Sequence, residues 1–210
     1  MERTIAFVDF DGTITMEDTL AGAMKRFVDP GEFALYSEKL ARGDVTLSQV
    51  VRRAYDGAPS SLLPELLAYV RSVPLRPGFD EFLDTCEELD IPVVVISGGI
   101  LQFLEQKMGP YRDRLLGMHA VELDVSGPRM RLVSEYDDGN ELLKKTDVMA
   151  LYRYDRAIGI GDSFTDRNMA QAADTVFARD VLAKFLSGLG KPYIPYEDFR
   201  TVSAAIRSSR

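Results

Sequence analysis

Apolar positions along this chain follow two alternating periods. Ile5-Ala6-Phe7-Val8 is an unbroken apolar run that stops at Asp9 and Asp11, and it predicts a short buried strand. From Leu20 the spacing becomes helical. Leu20, Ala23, Met24, Phe27 and Val28 share one face, and Asp29-Pro30-Gly31 ends it. A second helical segment runs from about Phe33 to Leu40. A third opens on Thr46-Leu47-Ser48-Gln49, a capping box, and carries Leu47, Val50, Val51, Ala54 and Tyr55 on one face. A fourth starts near Ser60 or Ser61 and carries Leu62, Leu63, Leu66, Leu67 and Val70. Its Pro64 falls in the first turn, where a missing N–H is tolerated. An α/β layer returns a strand after each helix. Four helices without one predict a helical insert over residues 16–75, the alternative being four helices packed on the sheet itself.

From Arg76 the strand-helix alternation returns. Gly78 to Leu89 reads as a helix burying Phe79, Phe82, Leu83, Cys86 and Leu89. Ile91-Pro92-Val93-Val94-Val95-Ile96 reads as a parallel strand covered on both faces. It ends at Ser97-Gly98-Gly99, and a helix begins near Ile100. Val121, Leu123 and Val125 alternate with Glu122 and Asp124, turn at Ser126-Gly127-Pro128, and continue at Met130 and Leu132 as a hairpin opened by His119. Tyr136 to Asn140 reads as a solvated turn, and Lys144-Lys145 precede a short helix through Val148, Leu151 and Tyr152. Ala157 to Gly161 and Val176-Phe177-Ala178 are further strands. Two closing helices follow, with faces Val181, Leu182, Phe185, Leu186, Leu189 and Phe199, Val202, Ile206, joined by an extended Pro192-Tyr193-Ile194-Pro195. The predicted class is α/β: a Rossmann-like parallel sheet flanked by helices, built from residues 1–15 and 76–210, with the helical insert between them.

Composition narrows the function. A chain of 210 residues, 46% hydrophobic and 28% charged, buries a sizeable core. The net charge of −8 argues against a nucleic-acid partner. Cys86 is the only cysteine, so an intrachain disulfide is excluded, and Cys86 on its apolar stripe reads as core. His119 is the only histidine, which disfavours a zinc site or a serine triad and reads as structural. The Met1-Glu2-Arg3 start lacks a signal peptide's apolar core, and no run approaches the roughly 18 apolar residues needed to span a bilayer. The expectation is a cytoplasmic protein without a membrane partner, monomeric or homodimeric.

The chemistry gathers where strands end. Two carboxylates at the end of a buried strand lose solvation and are poor core filler. In an extended segment Asp9 and Asp11 point the same way, and Gly12 allows a tight turn beyond. In open α/β sheets the ligand crevice lies at the carboxyl ends of the strands. Paired acids there suit a hard cation such as Mg²⁺, and one of them can also act as a nucleophile. Taken alone, the same stretch reads equally as a strand with solvated acids. Ser97-Gly98-Gly99 before a helix is either an anion site or a Gly-rich turn. Gly161-Asp162-Ser163-Phe164-Thr165-Asp166 repeats the strand-then-acid pattern. An EF-hand is excluded, because its sixth and twelfth positions hold Ile14 and Leu20.

In this order, Asp9-Phe10-Asp11-Gly12-Thr13, Ser97-Gly98-Gly99, a lysine, and Gly161 to Asp166 resemble the haloacid dehalogenase (HAD) superfamily of phosphatases over nearly the whole chain. The insert resembles that superfamily's type 1 cap. The resemblance implies that Asp9 is the nucleophile, forming an aspartyl-phosphate, and that Asp11 is the general acid and base. It implies Mg²⁺ held by Asp9, Asp162 and the main-chain oxygen of Asp11, with Asp166 orienting a metal-bound water. Ser97, the Gly98 N–H and Lys145 would hold phosphate. Lys145 is preferred to Lys144 because it directly precedes Thr146-Asp147, which can cap the next helix. Within the superfamily the chain resembles the phosphoserine phosphatase-like branch. It is nearest to the 2-hydroxy-3-keto-5-methylthiopentenyl-1-phosphate phosphatases of methionine salvage, through Ile14-Thr15-Met16, Phe177-Ala178-Arg179-Asp180 and Pro195 to Phe199. It departs from that family in having no cysteine between Ser134 and Lys144. Asp18 stands where phosphoserine phosphatases carry a cap Glu and is the expected specificity residue. The implied partner is a small phosphorylated metabolite. The alternatives are phosphoserine phosphatase, a mutase on the same fold, or a phosphate-binding regulatory protein, though a mere binder has no need of both Asp9 and Asp11.

Overall fold

A computed structural model describes residues 3–208. In chain order the first elements are β1 (Thr4–Asp9), α1 (Thr19–Phe27), α2 (Pro30–Arg42), α3 (Leu47–Tyr55), α4 (Leu63–Ser72) and α5 (Phe79–Glu88). Then come β2 (Val93–Ile100), α6 (Leu101–Met108), β3 (Gly117–Asp124), β4 (Arg131–Val133), α7 (Lys145–Met149) and β5 (Arg156–Gly161). The chain closes with α8 (Arg167–Ala172), β6 (Thr175–Ala178), α9 (Asp180–Leu189), β7 (Ile194–Pro195) and α10 (Phe199–Ser208).

β1 is apolar from Ile5 to Val8 because both its faces are covered. Ile5 and Phe7 belong to one buried cluster, Ala6 and Val8 to the other. It pairs in parallel with β2 on one side and β5 on the other. The seven strands run in the order β4-β3-β2-β1-β5-β6-β7, parallel except for the β3–β4 hairpin. Asp9 therefore ends the central strand, beside the end of β5 that carries Gly161 and Asp162. This is the topological position expected for a ligand site.

Three local features differ from the sequence expectation. β2 does not stop at Ile96 but continues through Ser97-Gly98-Gly99 to Ile100, with its pairing to β3 shifted between Ile96 and Ile100. The side-chain-free glycines occupy that irregularity. β3 is more than a hairpin arm, since its first half extends the main sheet beside β2. On α9 only Leu182 and Leu186 are fully buried, while Val181 and Leu189 face solvent.

The insert leaves and rejoins the sheet domain at adjacent points. Thr15 bridges Leu75, and Arg76 N donates to the Ile14 carbonyl at 2.7 Å. Its helices pack on one another and on the sheet at once. Leu20, Ala23 and Met24 of α1, Val51 and Tyr55 of α3, and Leu66 and Val70 of α4 share one buried cluster with Val94, Ile96 and Phe103. α2 lies outermost, with no fully buried residue. The link from α3 to α4 is tied to the hairpin. Gly57 N donates to Met130 O at 2.9 Å, Met130 N to Ala58 O at 2.7 Å, and Leu132 N to Asp56 Oδ1 at 2.8 Å. Asp137, expected in a solvated turn, instead accepts from Arg52 at 2.7 Å and from the Ser48 hydroxyl, because α3 presents those donors to the loop. Cys86 is buried core as expected, with its thiol pushed up to about 12 by burial, which leaves it unreactive. His119 meets the Tyr152 hydroxyl at 2.7 Å.

Candidate active site

The loop from Phe10 to Ile14 turns the chain out of β1 against Asp162. Phe10 and Ile14 are buried and pin it. Gly12 has φ +79, and a Cβ there would lie 2.7 Å from Asp162 Oδ2. Only glycine fits both the angle and the approach. Arg76, 5% exposed, braces the loop from behind. Its Nε donates to Thr13 O at 2.7 Å, and another guanidinium nitrogen donates to Gly12 O. The Thr13 hydroxyl donates to Asp162 Oδ1 at 2.8 Å.

Asp9 is 3% exposed, and Lys145 is fully buried. The Lys145 ammonium donates to Asp9 Oδ1 and, at 2.6 Å, to Asp166 Oδ1. Asp166 Oδ2 accepts from the amides of Asp162 at 3.0 Å and Ser163 at 2.9 Å. Both Asp166 oxygens are thus engaged in bracing the lysine and the loop. Carboxylate oxygens of Asp9, Asp162 and Asp166 lie within 4.8 Å of one another. Asp9 Oδ2 is buried without a hydrogen-bond partner. Burial, then repulsion from Asp166, holds the Asp9 carboxyl well above its ordinary range and raises Asp162 to about 7. Burial alone would lower Lys145, but Asp166 and Asp9 outweigh it and leave the ammonium firmly protonated. One cation thus faces three acids in a space removed from water. An orphaned oxygen and an excess of carboxylate fit a hard, oxygen-seeking divalent cation.

Asp11 has a different set of partners. The chain leaves the strand after Asp9, so Asp11 sits on the turn. Its Oδ1 accepts from Thr19 N at 2.9 Å and from the Thr19 hydroxyl, and its Oδ2 accepts from Ser97 Oγ at 2.9 Å. Burial raises this carboxyl against the bonds from Thr19 and Ser97 that lower it. A carboxyl biased toward its protonated form suits a proton donor.

A cavity of about 110 Å³ is lined by Asp9, Asp11, Gly98 and Asp162 on the sheet side and by Asp18 and Leu47 of the insert. The structure therefore brings Asp9, Asp11, Gly98, Asp162 and Asp18 around one space. Lys145 and Asp166 lie fully buried behind it, and Ser97 is fully buried with its hydroxyl on Asp11 and accepting from Gly99 N. Lys144 lies at the surface beside Asp147, 3.5 Å away. The expected cap by Thr146-Asp147 is absent: α7 begins at Lys145 itself, with Lys144 as the capping residue and no side-chain cap. Asp18, exposed at the rim of the cavity, caps α1 by accepting from Ala21 N at 2.8 Å. Arg42 pairs with Glu38, Arg52 with Asp137 and Arg53 with Glu32. Sequence reasoning missed Thr19 and Arg76. Thr19 was hidden as an ordinary helix start, and Arg76 carries no local signal.

A hydrolase of the haloacid dehalogenase type is what this sheet and this acid cluster define. The chain belongs to the haloacid dehalogenase-like hydrolase family, whose profile matches residues 6–171, and its enzyme class is phosphatase. Its similar proteins include the 2-hydroxy-3-keto-5-methylthiopentenyl-1-phosphate phosphatase of Microcystis aeruginosa (strain NIES-843 / IAM M-2473), 39% identical over 93% of each chain. The enzyme of the same name from Geobacillus kaustophilus (strain HTA426) is 34% identical over 98% of this chain and 96% of its own. Among solved structures, phosphoserine phosphatase from T. onnurineus superposes with a TM-score of 0.72 at 20% identity, covering 98% of this chain and 94% of that one. A phosphoserine phosphohydrolase-like protein from Francisella tularensis subsp. tularensis SCHU S4 gives 0.72 at 17% identity, covering 98% and 100%. Among the described residues no helix is long and apolar enough to cross a membrane.

Proposed function

We propose that this chain is a cytoplasmic Mg²⁺-dependent phosphomonoester hydrolase of methionine salvage, acting on 2-hydroxy-3-keto-5-methylthiopentenyl-1-phosphate, with residues 16–75 as its cap. The observation that carries the reading is Asp9: a buried carboxylate on the cavity wall, held by Lys145 through one oxygen and left unsatisfied at the other. A carboxylate of Asp9 attacks phosphorus while Asp11 gives a proton to the leaving oxygen, and the ester P–O bond breaks. Asp11 then takes a proton from water, which attacks the same phosphorus and frees Asp9 and inorganic phosphate. Asp9, Asp162 and the Asp11 carbonyl would hold Mg²⁺, which supplies the positive charge that lets an anionic nucleophile meet an anionic phosphate. Gly98 would offer its N–H to the phosphoryl oxygens. Lys145 pairs with Asp9 and opposes the upward push of burial on its carboxyl, and Thr19 and Ser97 hold Asp11 for proton transfer. Asp18, at the insert's edge of the cavity, is the residue placed to meet the leaving group.

The test is phosphate release from a panel of small esters. The keto-enol phosphate is expected to exceed phosphoserine in kcat/KM, because no arginine is among the residues that line the acid cavity, where a carboxylate would need one. The opposite ranking would assign the phosphoserine reading. Binding of phosphate esters without release would make the protein a regulator, and phosphate retained on product would make it a mutase.

Mg²⁺ binding is expected to compete with protons. With burial raising Asp162 to about 7, that metal-free carboxyl is partly protonated at neutral pH, and Asp9 is shifted in the same direction. Affinity for Mg²⁺ alone, measured by calorimetry, should fall about tenfold per pH unit below 7 for each proton displaced. The sign for stability follows from the same shifts. Raised folded-state acids favour the metal-free fold at low pH, and that advantage is lost as pH rises from about 4 through 7. An affinity unchanged between pH 5 and 8 would remove these acids from the metal site. Chelator should abolish turnover.

A further inference from the structure

Lys145 is delivered to the acid cluster by a segment with no ladder of its own. Residues 134–144 join β4 to α7 without a helix or strand. From within, three bonds close the segment. The Ser134 hydroxyl donates to Leu142 O, Tyr136 N donates to that hydroxyl at 3.2 Å, and Lys144 N donates to Tyr136 O at 3.0 Å. Leu142 and Leu143 are buried at its end. From outside, α3 holds it. Ser48 and Arg52 stand one turn apart on one face of that helix. The Arg52 guanidinium donates to Asp137 Oδ2 through Nε at 3.1 Å and through a terminal nitrogen at 2.7 Å. Its other terminal nitrogen donates to Leu132 O of β4 at 3.2 Å and lies 3.6 Å from Asp56 Oδ2. Ser48 adds its hydroxyl to the Asp137 carboxylate at 3.1 Å and its amide to Asn140 O at 3.1 Å. Burial pushes the Asp137 carboxyl up, but the bonds from Arg52, the Gly139 amide and Ser48 outweigh it and hold it below its ordinary value. Leu47, the neighbour of Ser48, lines the acid cavity. The first turn of α3 thus meets the cavity through Leu47 and the lysine-bearing segment through Ser48.

We propose that Arg52 and Asp137 are positioning residues for phosphoryl transfer: their pair fixes residues 134–144 against α3, and so sets Lys145 beside Asp9 in register with Leu47 on the cavity wall. The inference rests on the phosphatase reading and adds to it two residues that do not line the acid cavity. Charge-assisted bonds on a segment with few others restrain backbone that the rest of the fold leaves free. The Lys145 ammonium must meet Asp9 and Asp166 at once. A misplacement of about 1 Å at such a group costs on the order of 100-fold in rate.

The experiment is steady-state hydrolysis of 4-nitrophenyl phosphate, with amide hydrogen exchange, on the wild type, Arg52→Met, Asp137→Asn and the double variant. Arg114→Gln is the control. Arg114 is comparably exposed and pairs with Asp84 and Glu87 of α5, outside both the insert and the segment. In each single variant of the pair, kcat and kcat/KM should fall together by about 10–100-fold, leaving KM in place. The double variant should fall no further than the lower single, because the two side chains act as one unit. Arg52→Lys, which keeps the cation but not the fork, should lie between Arg52→Met and the wild type. All variants should melt within about 4 °C of the wild type. The Lys144 amide should exchange roughly fivefold faster in Arg52→Met and Asp137→Asn. Arg114→Gln should change neither kcat nor that amide. An unchanged kcat in both single variants, or losses that multiply in the double, overturns the proposal. Faster Lys144 exchange in a protein whose wild type releases no phosphate from any ester would keep the anchoring of the segment and sink the phosphatase. Release by the wild type, with kcat and exchange untouched in the variants, would do the reverse. Should Arg52→Met not fold, Asp137→Asn decides the matter, since its amide oxygen still accepts from Ser48 and Arg52.

Discussion

Asp9→Asn is expected to abolish phosphate release, by on the order of 10⁴-fold or more, with the fold retained. The amide is nearly isosteric and occupies the same place at the end of β1, but it is a poor nucleophile. Lys145 keeps its pair with Asp166 at 2.6 Å, so the buried ammonium is not stranded. The substitution also removes one of three crowded acids, whose own carboxyl is held well above its ordinary range by burial and Asp166. The metal-free variant should therefore melt no lower than the wild type at pH 8. Asp11→Asn is expected to be slowed less, by about 10²–10⁴-fold, since it removes proton transfer and leaves the nucleophile in place. Its Thr19 and Ser97 partners remain to position an amide. Near-normal release by purified, folded Asp9→Asn protein would falsify the mechanism.

Much of the sheet was legible because its signals are local. β1 and β2 are continuous apolar runs for the plain reason that both their faces are covered, and the helices of the insert carry one-sided stripes. The acids were legible because carboxylates after such runs have no place in a core. What could not be read is what depends on distant partners. Lys145 looks like half of a solvated pair and is fully buried, because two acids from β1 and from the turn after β5 converge on it. Arg76 looks like an ordinary loop cation and is the brace of the Asp9–Asp11 turn. Asp137 looks like turn punctuation and anchors α3. Strand extension through Ser97-Gly98-Gly99 was hidden because glycines signal turns, whereas here they mark an irregularity inside a strand. The sequence predicts a helical insert and leaves packing on the sheet as the alternative, because periodicity alone does not say what a face packs against; the insert's apolar faces share one buried cluster with the sheet's.

Lys145→Met should be the most destabilising change of a single charged side chain in this protein. The ammonium is wholly buried between Asp9 and Asp166, neither of which has water to fall back on. Breaking a buried pair by removing one partner costs about 3–5 kcal/mol, because the other charge stays buried and unpaired. In a chain of this size that is a drop of roughly 6–20 °C in Tm. Lys145→Arg should not restore stability, since a planar guanidinium does not fit a site closed around a compact ammonium. Lys145→Met combined with Asp166→Asn should recover part of the loss by removing a carboxylate along with the cation. The pH dependence has a definite sign. Without Lys145 the folded-state Asp9 carboxyl rises further above its ordinary range, so the variant's stability is retained at low pH and lost as pH rises through that raised value. The deficit measured in chelator should be small at pH 5 and full at pH 8, and saturating Mg²⁺ should narrow it, because the cation supplies the missing charge. Thermal melts of the wild type and the three variants at both pH values measure this directly. A Tm within about 2 °C of the wild type at pH 8, or a deficit that grows on acidification, would show that Lys145 is not what neutralises the acid cluster.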